Sequence, residues 1–388
     1  MSMSRIRTAA IFRCAAPLGA LVLAAALGGC TLGPLPPVEP PASPVSYRAM
    51  LDQFSKRLLD AGAPAVLVQV RVGSDKWSQS YGVRDLASRA TAEVSGPVHV
   101  GNVTKSMVAV AVLKLAEEGV LQLDAPASAY LPQFDPVLHP PESVSVRQLL
   151  QHRSGMPSVS GPLFDPATVR QALTQGVGMP ELLAMAGRMP WERRLAQGFE
   201  YSDSNYIALG MIVERIRGRP IGDVIRTDIV EPLDLSATRM TAPGPPPSSM
   251  VHGYITLDGQ PLDVTYPAAQ IGNAALGMVS NVADLNSFYR ALLQNKLLQP
   301  ATTKEMQSPP YAKYGLGVFR WNDLCTNDFY YGHTGDVPGY GTIALASADG
   351  TRQLAMAVAY PPEPLLAGVN PALQEMETIA VDALNSTC

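Results

Sequence analysis

Charge is what this sequence has least of. Only 16% of its 388 residues are Asp, Glu, Lys or Arg, and the net charge is −4. The first 29 residues hold Arg5, Arg7 and Arg13 and no acid, which leaves −7 for the remainder. No basic patch is readable, which argues against nucleic acid or another phosphate-bearing partner. Histidine is scarce as well: there are five, and His139, His152 and His252 lack metal-ligand spacing. No zinc site and no cofactor is implied. There is no internal repeat, and no second transmembrane segment follows the apolar stretch near the N-terminus. Cysteine is rare, with four in the chain. What is plentiful is apolar surface, 47% of residues, enough to bury one large core or two lobes.

The N-terminus reads as an address. Three arginines precede the apolar stretch 15–27, too short for a comfortable final span. Leu27-Gly28-Gly29-Cys30 then has the small-residue pattern of a bacterial lipoprotein cleavage site. We therefore expect a signal peptide over 1–29 and a lipid on Cys30. A tether over 30–45 follows, stiffened by Pro34, Pro36, Pro37, Pro40, Pro41 and Pro44. The body over 46–388 would then lie outside the cytoplasm, anchored to a membrane. Cys14 leaves with the signal, so Cys325 and Cys388 remain, and two thiols in such a compartment are expected to pair.

Tyr47, Met50, Leu51, Phe54, Leu58 and Leu59 recur at helical spacing, closed by Gly62. Residues 65–72 and 77–83 read as strands joined at Gly73-Ser74-Asp75. A helix-rich middle from about 103 to 300 follows. Strands return at 315–321, 329–333, 342–347 and 353–359, the last two flanking the hairpin signal Asp349-Gly350. Asn370-Pro371 caps a final amphipathic helix to about 384. The expected class is α/β plus all-α: an antiparallel sheet flanked by terminal helices, with a large helical insertion. The α/β lobe would hold about 46–100 and 310–388, the helical lobe about 101–309, and a site between them is expected.

Three short patterns carry the chemistry. Asn102-Val103-Thr104-Lys105 opens an apolar helix over 103–118 ended by Gly119. A lysine one turn beyond a helix start can activate a nucleophile there, where backbone N–H groups can hold an oxyanion. Tyr201-Ser202-Asp203 opens a helix to Arg217, before Gly218. Gly332-His333-Thr334-Gly335 lies on the late strands, followed by Gly339-Tyr340-Gly341. A carboxamide, however, is no usable nucleophile, and position 102 holds one.

Taken in order, these patterns resemble the serine β-lactamase, D-Ala-D-Ala carboxypeptidase and esterase superfamily, in its class C-like branch. Its signatures are Ser-x-x-Lys, Tyr-x-Asn and Lys- or His-Thr-Gly. The resemblance runs from about residue 47 to the C-terminus and includes the stretches 149–157, 277–280 and 314–317, with Asp284-Leu285. It implies a β-lactamase/transpeptidase-like fold in which Lys105 and Tyr201 are the general acid/base pair. The backbone N–H groups of residue 102 and Asp336 would form the oxyanion hole. His333, Thr334 and Gly335 would form the third motif, in the carboxypeptidase variant.

Two positions depart from the pattern. Asn102 stands where the attacking serine belongs, and Asp203 replaces an asparagine that both donates and accepts. The aspartate either holds Lys105 charged, opposing its use as a base, or is simply tolerated. Arg320 lies thirteen residues before His333. It is either placed beside Thr334 to receive a substrate carboxylate, as the resemblance implies, or is a surface arginine on an edge strand. Ser106 is a poor substitute nucleophile, a small hydroxyl at a packing position. The leading expectation is a pseudoenzyme binding a peptidoglycan stem peptide, a β-lactam-like ligand or a protein partner. A working hydrolase with another nucleophile or a serine allele, and a structural protein with a vestigial cleft, are the alternatives.

Overall fold

A computed structural model describes residues 46–165, 167–191, 198–241, 245–266, 273–310, 313–365 and 368–388. The expected signal peptide, Cys14, Cys30 and the proline-rich tether lie outside the described residues. Among the described residues no helix is long and apolar enough to cross a membrane.

The N-terminal helix, Tyr47–Asp60, starts where the Ser46 hydroxyl accepts from the Ala49 N–H and buries Leu51, Phe54 and Leu58. Strands β1 (Ala65–Val72) and β2 (Asp75–Gly82) follow as a hairpin. Two-residue β3 (Val98–His99) leads through a 3₁₀ turn, Gly101–Val103, into the buried helix Thr104–Glu117. The helix Asp203–Arg217 comes a hundred residues later and ends at Gly218 in the left-handed region, φ 66°. The helix-rich middle also carries strands absent from the sequence reading: β4 (Arg239–Met240), β5 (Tyr254–Leu257), β6 (Gln260–Asp263) and β7 (Met278–Ser280). Strands of two to four residues are too short for an alternation to register. The β5–β6 turn was nevertheless legible, because Asp258-Gly259 carries the same hairpin signal as Asp349-Gly350, with both φ angles positive.

The last third supplies β8 (Phe319–Asp323), β9 (Asp328–Val337), β10 (Tyr340–Ser347), β11 (Arg352–Ala359) and the C-terminal helix Pro371–Asn385. Strand β8 begins later than expected. Gly317, at φ 89°, brings the chain so close to Ala109 that a Cβ would sit 2.4 Å from the alanine methyl, so residues 315–318 hug a helix instead of pairing. Strand β9 runs further than expected and carries the whole His333-Thr334-Gly335 motif. The main sheet is antiparallel in the order β2-β1-β11-β10-β9-β8.

Its two faces are built from different side-chain sizes. Val66, Val68, Val70, Ile343, Leu345, Leu354, Met356 and Val358 point to the terminal helices, meeting Phe54, Met376 and Leu384. The alternate positions on the central strands, Ala344, Ala346, Ala355, Ala357 and Ala359, join the core under the helical body. Alanine leaves room for the helix Val282–Leu293 to lie close against β10 and β11. A disulfide joins Cys325, in the β8–β9 turn, to Cys388, with Cα atoms 5.7 Å apart.

Candidate active site

The site forms where the 3₁₀ turn at 101–103 meets the middle of β9. Gly101 adopts φ 51°, and a Cβ there would lie 3.0 Å from the Asp336 nitrogen; across the gap, a Cβ on Gly335 would lie 2.0 Å from the Val100 carbonyl oxygen. Two glycines therefore let turn and strand touch backbone to backbone. Thr104 locks the turn from below: its hydroxyl donates to the Gly101 carbonyl (2.6 Å) and accepts from the Met278 N–H on β7 (3.1 Å).

The second wall is the start of the Asp203–Arg217 helix, pinned by the stretch 149–157. Ser154 donates to Asn205 (2.6 Å), Ser204 donates to the Pro157 carbonyl (2.7 Å), and the His152 Nδ1 accepts from the Ser202 N–H (3.2 Å). The His152 ring also lies 4.1 Å from the Tyr201 ring, tilted by 30°. These contacts aim Tyr201 and Asp203 at the turn.

Asn102 sits at the focus of both walls. Its Oδ1 accepts from the Asp336 N–H at 3.0 Å, and its Nδ2 donates to Tyr201 Oη at 3.0 Å and Asp203 Oδ1 at 3.3 Å. A backbone N–H can only donate, which dictates the orientation of the carboxamide. Lys105 is fully buried; its Nζ donates to Asp203 Oδ1 at 2.6 Å and to the Ala275 carbonyl at 3.2 Å. The same ammonium lies 5.0 Å from the Tyr201 ring centroid and 5.8 Å from that of Tyr206. Burial pushes the Lys105 pKa down, against the opposing pull of Asp203. Burial, reinforced by the charge on Asp203, holds the Tyr201 phenol well above the usual tyrosine range.

The third motif divides. Gly335 and Asp336 face the turn, and the Asp336 N–H is the donor expected of an oxyanion hole. The Asp336 carboxylate accepts from the Asn370 N–H (2.9 Å) at the start of the C-terminal helix, and burial raises its pKa to about 6. Thr334 is half-buried on β9, opposite Ile343. His333 is fully buried behind the site. Its ring nitrogens are taken up by the Thr334 carbonyl and by Tyr314 Oη (3.2 Å), and burial and Lys105 depress its pKa to about 3.

Arg320 is not brought to the cluster. The β8–β9 register sets it opposite Tyr331, not Thr334, and its guanidinium stacks 4.3 Å over Phe329. Its neighbour Phe319 reaches the site side instead, with ring centroids 5.0 Å from His333 and 6.3 Å from Tyr201. One strand position reverses the face, which spacing along the chain cannot reveal. Ser106 points away, bonded to Tyr289 Oη (2.8 Å) and to the Gly317 carbonyl (2.7 Å). The sequence reading also missed Tyr314, Phe319 and the Ala275 carbonyl; only long-range packing selects them.

A turn carrying residue 102, a lysine three residues on, a tyrosine just before a second helix and a strand N–H thus converge, the groups that the resemblance leads one to expect together. The beta-lactamase family model matches residues 48–370. This chain belongs to the beta-lactamase family. Within that family it is similar to penicillin-binding protein 4* of Bacillus subtilis, 24% identical over 300 residues, which are 73% of this chain and 65% of that protein. The match thus spans a little under two thirds of that relative. A D-stereospecific amidohydrolase from Streptomyces sp. is similar in structure, with TM-score 0.72, 28% identity, and coverage of 85% of this chain and 98% of that one. A D-amino acid amidase from Ochrobactrum anthropi SV3 shares the fold, with TM-score 0.73 and 21% identity over 88% of this chain and 98% of that one.

Proposed function

We propose that this beta-lactamase family protein no longer forms an acyl-enzyme. Its cleft instead holds a cell-wall stem peptide, a β-lactam-like ligand or a protein partner without turnover. A lipid on Cys30 would keep the body on the extracytoplasmic side of a membrane. One observation carries the reading: the Asn102 carboxamide occupies the position of the expected nucleophile and is bonded through both its oxygen and its nitrogen, to the Asp336 N–H, Tyr201 Oη and Asp203. It offers no nucleophilic oxygen, and its own carbonyl takes the N–H that would stabilise a substrate oxyanion. A ligand carbonyl would have to displace it. Affinity would then come from elsewhere in the cleft, to which the small apolar pocket lined by His99, Phe164, Leu276, Val337 and Pro338 would contribute.

The test is turnover and labelling of the full chain. Wild-type protein should hydrolyse nitrocefin, a p-nitrophenyl ester and a D-Ala-D-Ala peptide at background rates and take up no fluorescent penicillin. Asn102→Ser should acquire a penicillin adduct, because Lys105, Tyr201 and the Asp336 N–H stay in place. Wild-type turnover well above background would overturn the reading.

A further inference from the structure

Asn102 Nδ2 and Lys105 Nζ meet on a single atom, Asp203 Oδ1, at 3.3 and 2.6 Å. They cannot be further apart than those two bonds laid end to end. Both side chains leave the same short stretch, Asn102 from the 3₁₀ turn over 101–103 and Lys105 from the first turn of the α-helix that follows it. Lys105 is fully buried, Asp203 nearly so, and the rings of Tyr201 and Tyr206 lie against the ammonium. The carboxamide carbonyl points at the Asp336 N–H. A buried amine, a polarised amide carbonyl and a carboxylate touching both nitrogens are the components of an amide-exchange reaction. Water is largely excluded from the amine and the carboxylate, and the amide is partly buried.

We propose that Lys105 and Asn102 become joined by an intramolecular isopeptide bond. Asp203 takes a proton from the Lys105 ammonium, and the freed lone pair attacks Asn102 Cγ. The Asp336 N–H holds the oxygen of the tetrahedral intermediate, as it would hold that of an acyl-transfer substrate. Asp203, already bonded to Nδ2, delivers the proton to the departing nitrogen. The Cγ–Nδ2 bond breaks and ammonia leaves; the extra proton still on Nζ passes through Asp203 to the ammonia, which departs as ammonium, and a neutral Cγ–Nζ amide remains, with no oxidant, metal or co-substrate consumed. Burial favours the reaction by pushing the lysine toward its neutral, nucleophilic form. The acyl-transfer site would thus act once, on its own side chain. The proposal rests on the reading that residue 102 is no nucleophile, and adds that it is an electrophile.

Peptide mapping of the purified full chain decides it. Trypsin normally cuts after Arg89, Lys105 and Lys114. The cross-link predicts a peptide 90–114 left uncut at Lys105, lighter by one ammonia and stable to hydroxylamine. Asn102→Ala and Lys105→Arg should each yield peptides of full sequence mass cut at position 105. Wild-type peptides of unaltered mass, cut at Lys105, would overturn the proposal. So would loss of ammonia in a peptide still cut at Lys105 and opened by hydroxylamine, which marks a succinimide. An aspartate at position 102 would make water, not the lysine, the attacking group, and would equally overturn it. None of these outcomes touches the claim of lost acyl transfer, which stands or falls on turnover.

Discussion

A single carboxamide changes what every neighbour can do. In the arrangement expected of the family, residue 102 would exchange a proton with Lys105 and Tyr201; Asn102 instead donates to Tyr201 and Asp203. Asp203 then becomes the electrostatic partner of a fully buried lysine. Such a pair is dear to break and inexpensive to replace, because removing one member strands the other charge out of water. In an Asn102→Ala background, where no cross-link can form, Lys105→Met should cost about 3–5 kcal/mol in urea unfolding. Combining it with Asp203→Leu should recover most of that loss. A small single-mutant effect would mean that water reaches the pair. The residues of this cluster were readable because each lies inside a short motif. Arg320 misled because its place depended on a strand register that no local pattern encodes.

Elements matter here through their contacts rather than their lengths. The 3₁₀ turn and β9 approach so closely that Gly101 and Gly335 cannot carry side chains without displacing backbone. Gly335→Ala should therefore push β9 from the turn and separate the Asp336 N–H from residue 102. In the Asn102→Ser background this should abolish penicillin labelling while far-ultraviolet circular dichroism stays unchanged. Retained labelling would mean the hole lies elsewhere. The long helices and central strands could be read from periodicity and caps, such as Asn370, whose side chain accepts from the Ala372 N–H. The short strands β3, β4 and β7 could not. They exist because residues far apart in sequence converge to support the turn.

Across the whole molecule the buried histidines set the response to acid. Burial lowers the pKa of His99 to about 4 and of His333 to about 3, and holds His152 well below its usual value. In the unfolded chain each titrates near 6.5. Below that pH the unfolded state binds protons that the folded state refuses, so stability is full above pH 6.5 and is lost as pH falls toward 4 and then 3. The slope is roughly 1.4 kcal/mol per pH unit for each such histidine. Asp336 acts in the opposite sense, its pKa raised to about 6: its contribution is full below about 3.8, the ordinary value, and fades as pH rises through 6. Burial also raises Glu214 and Asp284, which act in the same sense as Asp336, but the three histidines have the larger lever above pH 4.5 and predict a urea midpoint that drops between pH 6.5 and 4.5. His333→Gln should flatten that slope; an unchanged slope would show that the histidine is reached by water.

Sequence alone was enough to place the motifs, their order, both departures from the family pattern and the pairing of Cys325 with Cys388. These are covalent or local facts, expressed within a few residues or by elimination among few candidates. It did not reveal that the Asn102 carbonyl takes up the Asp336 N–H, that Asp203 touches both the lysine and the carboxamide, or that Arg320 faces away. Each of these depends on how segments from 98 to 234 residues apart are brought within hydrogen-bond reach. That closure belongs to the packed sheet and helices, where a shift of one residue turns a side chain to the opposite face.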